Sequence, residues 1–293
     1  MIQVQDLTQT YKSGKGVFDL NFTIKEGEVF GYLGPNGSGK TTTIRNLLGF
    51  SNASKGKAKI DGLDCRKDTA KLQNIIGYLP GETAFFNNMT GFEFLKFMTE
   101  MRNTKNLSRK NNLIEKFELD TEVKIKKMSK GMKQKLAIIT AFMHDPKVYI
   151  LDEPTSGLDP FMQNLFMELI SDEKSRGKTI MMSSHIFEEV QRSCDRAGII
   201  RDGKIVAVEN INALNEMKQE TYIITLKYKK DVEKLVDSDL STEKISEYRV
   251  QTTVNDNYQK FFETLALCNV ARLDVKQESL EDIFMKYYGK EGV

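Results

Sequence analysis

The sequence predicts an α/β fold with a mostly parallel central sheet, followed by a small α+β domain. Three observations support this prediction. Residues 28–33 (EVFGYL) form an apolar run that ends in a glycine-rich loop, which is typical of a strand buried on both faces. Strand-like and helix-like segments alternate from there to about residue 210, as in proteins with a parallel sheet. Beyond about Lys218, the strands instead show the alternation of half-buried strands.

The elements of the first part follow from their residue patterns in order. Apolar and β-branched runs predict strands, and apolar residues at helical spacing predict helices. We expect strands at 2–7, 18–24, 57–62, 147–154 and 179–184, and helices at 41–50, 92–117 and 187–195. Residues 197–209 indicate a hairpin, because Asp202–Gly203 is a two-residue sequence that favours positive φ at both turn positions.

The last part of the chain is predicted to form its own small domain, 218–293. Tyr222, Ile224, Leu226 and Tyr228 alternate on one face of a strand, and further strands are expected at 247–254 and 270–277. A helix is expected at 258–267. The terminal segment 279–289 (SLEDIFMKYYG) opens with a capping pattern and carries an apolar stripe, which predicts a final helix.

Composition and charge restrict the classes of function. The chain has 293 residues with 43 Lys and Arg against 41 Asp and Glu, a near balance that argues against a protein devoted to binding nucleic-acid backbones. The start lacks a signal-peptide core, and no run approaches the length of a membrane span. The three cysteines are scattered without metal-binding spacing, which suits a reducing cytosol. We therefore expect a cytosolic location, with any membrane role carried by a partner.

Residues 34–42 (GPNGSGKTT) match the phosphate-loop pattern, and strand, loop and helix follow one another as its mechanism requires. The glycines let backbone amides approach phosphate oxygens, and the helix that follows directs its positive end at the anion. Lys40 would place a charge on the β- and γ-phosphates, while the Thr41 hydroxyl can bind Mg²⁺. The predicted ATP-binding residues of this loop are Gly34, Pro35, Asn36, Gly37, Ser38, Gly39, Lys40, Thr41 and Thr42.

An acidic pair follows the predicted strand in VYILDEP. Asp152 leaves that strand at its carboxyl end, where sheets of this class present their ligands, and it can hold Mg²⁺. Glu153 can act as a general base that polarises the attacking water. Taken alone, such a pair could equally cap the next helix, but its occurrence with a phosphate loop favours the catalytic interpretation.

These residues resemble the nucleotide-binding subunits of ATP-binding-cassette (ABC) transporters, over about residues 1–215. The resemblance implies an ATP-binding domain at 1–217 with a P-loop NTPase core, an antiparallel β subdomain and a helical subdomain at about 85–143. It makes MSKGM the family's signature motif, which caps the ATP of a partner subunit, and SGLD the D-loop beside that partner's site. The corresponding residues are Ser129, Lys130, Gly131 and Met132, and Ser156, Gly157, Leu158 and Asp159.

The resemblance also implies roles for two aromatic residues. His185 corresponds to the switch histidine that contacts the γ-phosphate, although a lone histidine after a strand is more often structural. Tyr11 stands where the family stacks an aromatic ring on adenine, and its alternative role is packing at a strand end. His144 has no matching role and is expected in a surface turn.

One position departs from the family pattern. The family has a glutamine after the strand ending in YLP, which serves Mg²⁺ and senses the membrane subunit, whereas this chain has Gly81 followed by Glu82. Glu82 offers a carboxylate to the metal but stands one residue out of register. The following aromatic residues, Phe85 and Phe86, are candidates for contact with the permease or for core packing.

The signature motif lies within a cluster of lysines, of which Lys130 and Lys133 are expected to be merely solvated. The helix that follows is predicted to bury a stripe of Met132, Leu136, Ile139 and Met143. The motif itself then consists of a serine hydroxyl and a glycine amide at a helix start, which suits an anion.

The resemblance implies an ATPase that dimerises around two ATP molecules and drives a separate membrane permease. The single phosphate loop and signature require a homodimer or a related cassette subunit, with ATP and Mg²⁺ as cofactors and no direct contact with nucleic acid. The tail resembles bacterial exporters of antibiotics, bacteriocins and other amphiphiles, which places the chain on the cytoplasmic face of a bacterial membrane. The alternative is an ABC-type ATPase that acts on nucleic acid or the ribosome.

Overall fold

The computed structural model describes residues 1–104, 106–216, 220–254 and 257–277. The chain divides into two compact units, Met1–Ile211 and Asn212–Val293. The sequence placed this boundary between residues 217 and 218, slightly later in the chain. The predicted terminal helix, 279–289, lies outside the described residues. None of the described helices combines the length and apolar character needed to cross a membrane.

Both units alternate strands and helices along the described residues. The first unit contains β1 (Ile2–Thr10), β2 (Gly16–Ile24), β3 (Val29–Leu33), α1 (Lys40–Leu47), β4 (Lys55–Ile60), β5 (Leu63–Asp64), α2 (Thr69–Ile75), β6 (Ile76–Leu79), α3 (Gly91–Met101), α4 (Ser108–Lys116), a 3₁₀ turn (Ile125–Lys127), α5 (Lys130–Phe142), β7 (Val148–Asp152), α6 (Pro160–Ser175), β8 (Thr179–Ser184), α7 (Phe187–Ser193), β9 (Arg196–Arg201) and β10 (Lys204–Asn210). Helix α8 (Ile211–Glu216) begins at the last residue of this unit. The second unit contains β11 (Glu220–Leu226), α9 (Lys229–Val236), β12 (Ser241–Ser246), β13 (Arg249–Val254), α10 (Tyr258–Ala266) and β14 (Val270–Gln277).

The main sheet of the first unit has the strand order β10-β9-β3-β8-β7-β6 within the described residues. All neighbouring strands are parallel except β9 and β10, which form the predicted hairpin. Its turn residues have φ values of 49° at Asp202 and 76° at Gly203, as a two-residue turn of this kind requires. Every residue of β3, β7 and β8 is buried, which explains the apolar runs that make up most of these strands. The predicted α/β fold with a mostly parallel sheet is confirmed.

Strand order brings the chemically important segments together. The strands β3, β8 and β7 are neighbours in this sheet and run in the same direction. Their carboxyl ends lead to the phosphate loop, to His185 and to Glu153, respectively. These three segments are far apart in sequence, yet they must meet at one edge of the sheet.

A second, antiparallel sheet in this unit has the order β2-β1-β4-β5, and it shares one apolar core with the main sheet. The ring of Phe22 on β2 stacks on Phe30, with ring centroids 5.8 Å apart, and on Tyr32, at 5.6 Å. Both of these partners are fully buried on β3. This packing supports the strand that leads directly into the phosphate loop.

The helical part consists of α3, α4 and α5, and the segment 92–117, which was predicted to be helical, contains two helices, α3 and α4. Helix α3 begins with a capping box, in which Thr90 and Glu93 bond each other's backbone amides. It ends before Asn103, whose φ of 49° is left-handed and terminates the helix. The Asn106 side chain then accepts bonds from Ser108 at the start of α4. Local side-chain bonding therefore divides the segment.

The second unit contains the antiparallel sheet β12-β13-β11-β14, with helices α9 and α10 contributing to its core. The buried cluster includes Tyr222, whose ring lies 4.6 Å from that of Phe261 on α10. Ile224 and Leu226 are buried as the alternation predicted, but Tyr228 is 52% exposed. Tyr228 lies beyond β11, at the residue before α9, so the strand pattern no longer applies to it.

Candidate active site

The phosphate loop lies between the buried strand β3 and helix α1. Gly39, immediately before α1, has φ 112°, and a Cβ there would lie 2.6 Å from Val17 Cγ1, so only glycine fits this position. The backbone amides of Lys40, Thr41 and Thr42 lie in the first turn of α1, where they have no intrahelical acceptor. Together with the helix dipole they form a site for an anion.

Lys40 is almost completely buried within this loop. Its Nζ atom donates to the Gly34 carbonyl at 2.6 Å and the Pro35 carbonyl at 3.2 Å, and it lies 3.4 Å from Glu153 Oε1. Ser38 Oγ is also buried, and it has no hydrogen-bond partner among the described residues. The loop thus holds a positive charge and an unsatisfied hydroxyl beside the free amides, an arrangement that fits the phosphates of a nucleotide.

Asp152 is the last residue of β7, and its buried carboxylate links two other segments. Oδ2 accepts a hydrogen bond of 2.9 Å from the Thr41 hydroxyl, and Oδ1 accepts one from the Ser183 hydroxyl. A hydroxyl and a carboxylate in direct contact at the phosphate loop are the oxygen donors that Mg²⁺ prefers. The residues present therefore fit a Mg²⁺ ion here.

Glu153 adopts a left-handed backbone conformation, with φ 47°. Its amide donates to both the carbonyl and the hydroxyl of Ser183, at 3.2 and 3.1 Å, and these bonds hold the strained residue in place. Oε1 lies 3.4 Å from Lys40 Nζ and 3.4 Å from His185 Nδ1. The structure thus brings Lys40, Glu153 and His185, all predicted from the sequence, into one cluster.

A cavity of about 720 Å³ adjoins this cluster and is lined by Thr41, Asp152 and Glu153 on one side. Gly81 and Glu82 line it as well, so the segment that departs from the family pattern is part of the site. A Cβ atom at Gly81 would lie 3.6 Å from Asp152 Oδ2, which is ordinary contact distance. A side chain at this position would therefore begin beside the Asp152 carboxylate.

The signature segment contacts the D-loop of the same chain. Ser129 caps helix α5, its hydroxyl accepting from the Met132 amide at 3.1 Å. Lys130 Nζ lies 3.5 Å from Ser156 Oγ, and a Cβ at Gly157 would lie 2.8 Å from Lys130 Cε. Gly131 also approaches Gly157, because a Cβ at Gly131 would lie 3.3 Å from the Gly157 carbonyl oxygen.

Lys130 is exposed, as expected, and its side chain also lies against the D-loop. Lys133 is half-buried, and both lysines line the 720 Å³ cavity. One expectation about this segment is wrong. Met132 is only half-buried, whereas the rest of the predicted stripe is buried. Met132 lies in the first turn of α5, at the end of the helix that meets the cavity rather than the core. The buried members of the stripe are Leu136, Ile139 and Met143.

The remaining predicted residues lie in the D-loop and at the end of β1. In the D-loop, Leu158 is buried, and Asp159 caps helix α6 by accepting a 3.0 Å bond from the Met162 amide. This cap is followed by Pro160 at the first helical position, a start signal for the 16-residue α6, which is absent from the helices predicted above. Tyr11 follows β1 and is 40% exposed. Its predicted contact with adenine stays a prediction.

Several residues that were not predicted from the sequence form hydrogen bonds with the segments that follow β7 and β8. Ser183 bonds both Asp152 and Glu153, and the buried Gln134 donates a 2.7 Å bond to the Pro154 carbonyl. Glu189 accepts from Thr155 at 2.5 Å and from Ser184 at 2.7 Å. The sequence did contain a signal for these contacts: two serines end the apolar strand TIMMSS, and buried hydroxyl groups require hydrogen-bond partners.

His144 lies in a turn, as expected, but not at the open surface. It is half-buried after helix α5, with Nε2 2.9 Å from Arg102 Nη1 and 3.2 Å from the Ile76 carbonyl. Burial, followed by the positive charge of Arg102, lowers the pKa of His144 to about 4. The histidine is therefore neutral at physiological pH.

Comparison with known proteins agrees with this geometry. The profile of the ABC transporter family matches residues 17–156. The chain is 30% identical to the uncharacterised ABC transporter ATP-binding protein YhcH of Bacillus subtilis, covering 99% of this chain and 96% of the relative. It is 32% identical to the bacitracin transport ATP-binding protein BcrA of Bacillus licheniformis, covering 99% and 97%. The chain belongs to the ABC transporter ATP-binding proteins.

The solved structures support the same assignment. The chain resembles a dimeric bacterial ABC transporter cassette, MJ0796, with a TM-score of 0.66 and 25% identity over 72% of this chain and 99% of that one. The predicted family, P-loop fold class and ATPase function are confirmed. The predicted role as an ATP-binding subunit in transport is confirmed too, and nothing supports the alternative of action on nucleic acid or the ribosome.

Proposed function

We propose that this ABC cassette hydrolyses ATP with Glu153 as the general base. The observation that carries the proposal is the convergence of three groups: Glu153 Oε1 lies 3.4 Å from both Lys40 Nζ and His185 Nδ1. A water molecule beside this carboxylate transfers a proton to it as its oxygen bonds to the γ-phosphorus. The bond from that phosphorus to the bridging oxygen breaks, leaving ADP and inorganic phosphate.

Each neighbouring residue has a distinct task in this proposal. Lys40 exchanges its bonds to the Gly34 and Pro35 carbonyls for bonds to the β- and γ-phosphate oxygens, where it stabilises negative charge. His185, which is 45% exposed, orients the γ-phosphate and the water from the open side of the site. Thr41 and Asp152 would hold Mg²⁺, which when bound neutralises phosphate charge.

A second cassette completes the site in this proposal. The signature residues Ser129, Lys130, Gly131 and Met132 lie at the start of α5, where a hydroxyl and free amides suit an anion. We assign them to the ATP of a partner chain, a homodimer or a related subunit, with the D-loop Ser156–Asp159 beside that site. The dimeric structure of the MJ0796 cassette supports this arrangement.

The membrane partner is proposed to be a separate permease that exports a peptide antibiotic or another amphiphile. The relative named for bacitracin transport, which matches almost over its full length, supports this class of cargo. Phe86 is 55% exposed and supported by the rings of Phe94 and Phe97, which suits an apolar docking contact. Phe85 instead packs edge-on against Phe94, in a supporting position. The cassette would then act at the cytoplasmic face of the membrane.

The catalytic assignment is tested with Glu153→Gln, which keeps the shape of the side chain but removes its basicity. We expect the variant to bind Mg-ATP with unchanged affinity and to accumulate as a dimer, while turnover falls by about 100-fold or more. Glu168→Gln, on the exposed face of α6 and outside the cavity, is the matched control and should hydrolyse ATP within about twofold of the native rate. Rapid hydrolysis by Glu153→Gln would refute the assignment of the base.

The membrane partner is tested by affinity purification of the tagged chain from its native cells in mild detergent. A multi-span membrane protein recovered in stoichiometric amount supports the permease. Recovery with ribosomes or DNA would contradict the transport role while leaving the ATPase assignment intact. Phe86→Asp should reduce recovery of the permease without changing ATP affinity, because the ring lies outside the nucleotide site.

A further inference from the structure

A second cavity, of about 650 Å³, lies at the opposite edge of the main sheet from the active site. Its wall includes Asn74, just before β6, and His144 and Asp145, just before β7. Arg176, just before β8, lines it as well. The catalytic segments instead follow the carboxyl ends of β7 and β8, so the parallel sheet separates the two sites.

Arg102, in the wall of this cavity, is a half-buried cation without an acidic partner in the described part of the chain. It follows α3, and no carboxylate among the described residues lies within 4 Å of its guanidinium. Its Nη1 atom donates to the Gln73 carbonyl at 2.9 Å and lies 2.9 Å from His144 Nε2. Burial lowers the pKa of Arg102, because the charged group is partly removed from water.

The other cations of the wall are already paired. Arg109 bonds the buried Glu173 at 2.6 Å, and Arg176 bonds Glu173 and Asp145 at 3.0 and 2.9 Å. Lys116 forms a 3.1 Å pair with Asp172. These pairs neutralise their own charges, so Arg102 remains the cation of the described wall that lacks a counter-charge. A partly buried, unpaired charge is unfavourable unless something compensates it.

Two further polar atoms of the wall lack partners. Thr104 Oγ1 and His144 Nδ1 are both buried, and neither has a hydrogen-bond partner among the described residues. Nε2 of His144 contacts both the Arg102 guanidinium, which only donates, and the Ile76 carbonyl, which only accepts. The wall thus presents donors from Arg102 and Thr104, both of which suit the oxygen atoms of an anion.

The size of the cavity indicates more than an inorganic ion. A volume of about 650 Å³ is in the range of small-molecule sites. Four asparagines line it, and their amides can both donate to and accept from the polar body of a ligand. They come from α2, from α4 and from the connection between α3 and α4: Asn74, Asn103, Asn106 and Asn112.

We propose that this cavity is a binding site for a small organic anion, whose phosphate or carboxylate group pairs with Arg102 and accepts a hydrogen bond from Thr104. The polar remainder of the ligand contacts the asparagine amides. The ligand spans the end of α3, helix α4 and the loop before β7, so it connects the helical part with the central sheet. The site is separate from the nucleotide site and does not depend on the catalytic assignments above.

The test is isothermal titration calorimetry on the full chain saturated with Mg-ADP, which occupies the nucleotide site. The phosphate probes are inorganic phosphate, glycerol phosphate and AMP, and the carboxylate probes are acetate and malate. We expect at least one probe to bind with one molecule per chain. Arg102→Gln should weaken that binding by about tenfold or more, since it removes a charge-assisted bond. Thr104→Val, which keeps the side-chain shape, should weaken it severalfold.

Arg66→Gln is the matched control, because Arg66 is exposed, lies outside the cavity and has no ion pair among the described residues. It should bind the probes like the native chain. The affinity of each variant for Mg-ADP verifies that the fold is intact. The proposal is overturned if no probe binds at millimolar concentration, or if Arg102→Gln and Thr104→Val both bind as tightly as Arg66→Gln. Binding of phosphates alone, or of carboxylates alone, supports the site and identifies the anionic group.

Discussion

Replacing Glu173 by glutamine should destabilise the first unit, because this carboxylate is the centre of a buried polar cluster. Glu173 lies on α6 and is 1% exposed. It accepts bonds from Arg109 at 2.6 Å, from the Tyr149 hydroxyl at 2.9 Å and from Arg176 at 3.0 Å. Burial, and then the charge of Glu173, raise the pKa of Tyr149 well above its ordinary value, so Tyr149 stays a neutral donor.

The expected cost follows from these three contacts. The Arg176 side chain is 42% exposed, so its ion pair is screened by water and contributes less than about 1 kcal/mol. Arg109 is only 20% exposed, and a hydrogen bond to a charged group contributes about 1.5–3 kcal/mol. The glutamine amide also places donor hydrogens against groups that can only donate. We therefore expect Glu173→Gln to lower the free energy of unfolding by about 3 kcal/mol.

The measurement is urea unfolding followed by circular dichroism, together with hydrogen exchange of peptides from α6 and β7. Hydrogen exchange assigns the loss to the first unit, which matters because the chain has two compact units. Glu168→Gln is the matched control on the exposed face of the same helix, and it should change stability by less than about 0.5 kcal/mol. A loss below about 1 kcal/mol for Glu173→Gln, or one equal to the control, would refute this reasoning.

Two further predictions concern His144 and Gly81. The folded pKa of His144 is about 4, below its ordinary value of 6.5, so only the unfolded chain binds a proton as the pH falls through this window. Stability should therefore fall by about 2 kcal/mol between about pH 7 and about pH 5 on account of this residue. In the His144→Gln variant, the free energy of unfolding measured with urea should decrease less between these two pH values than in the native chain. Equal decreases in the variant and the native chain would contradict the assignment. Gly81→Gln should fold normally and place an amide oxygen beside Asp152, because a Cβ there lies 3.6 Å from Oδ2. We expect the Mg²⁺ concentration for half-maximal ATP hydrolysis to fall severalfold for Gly81→Gln but not for Gly81→Ala, and equal values for the two variants would exclude this effect.

Much of the fold and of the site could be predicted because the relevant signals are local. The buried runs of β3 and β7, the phosphate loop at 34–42 and the turn at Asp202–Gly203 each depend on neighbouring residues and on backbone preferences. Residue types at fixed spacing also indicated Lys40, Asp152 and Glu153 as candidates, and the resemblance to the family added His185. Helix α6 and the break between α3 and α4 carried local signals as well, in Asp159–Pro160 and Asn103.

The sequence by itself determined the parallel core, the nucleotide-binding loop and the identity of the acidic pair, since these follow from local pattern. Only the tertiary structure decided which distant side chains meet. It brought Ser183 behind Asp152, placed Lys130 against the D-loop, and left Arg102 beside His144 with no counter-charge among the described residues. Such contacts depend on strand order and helix packing, which join residues distant in the chain, and no local spacing encodes them.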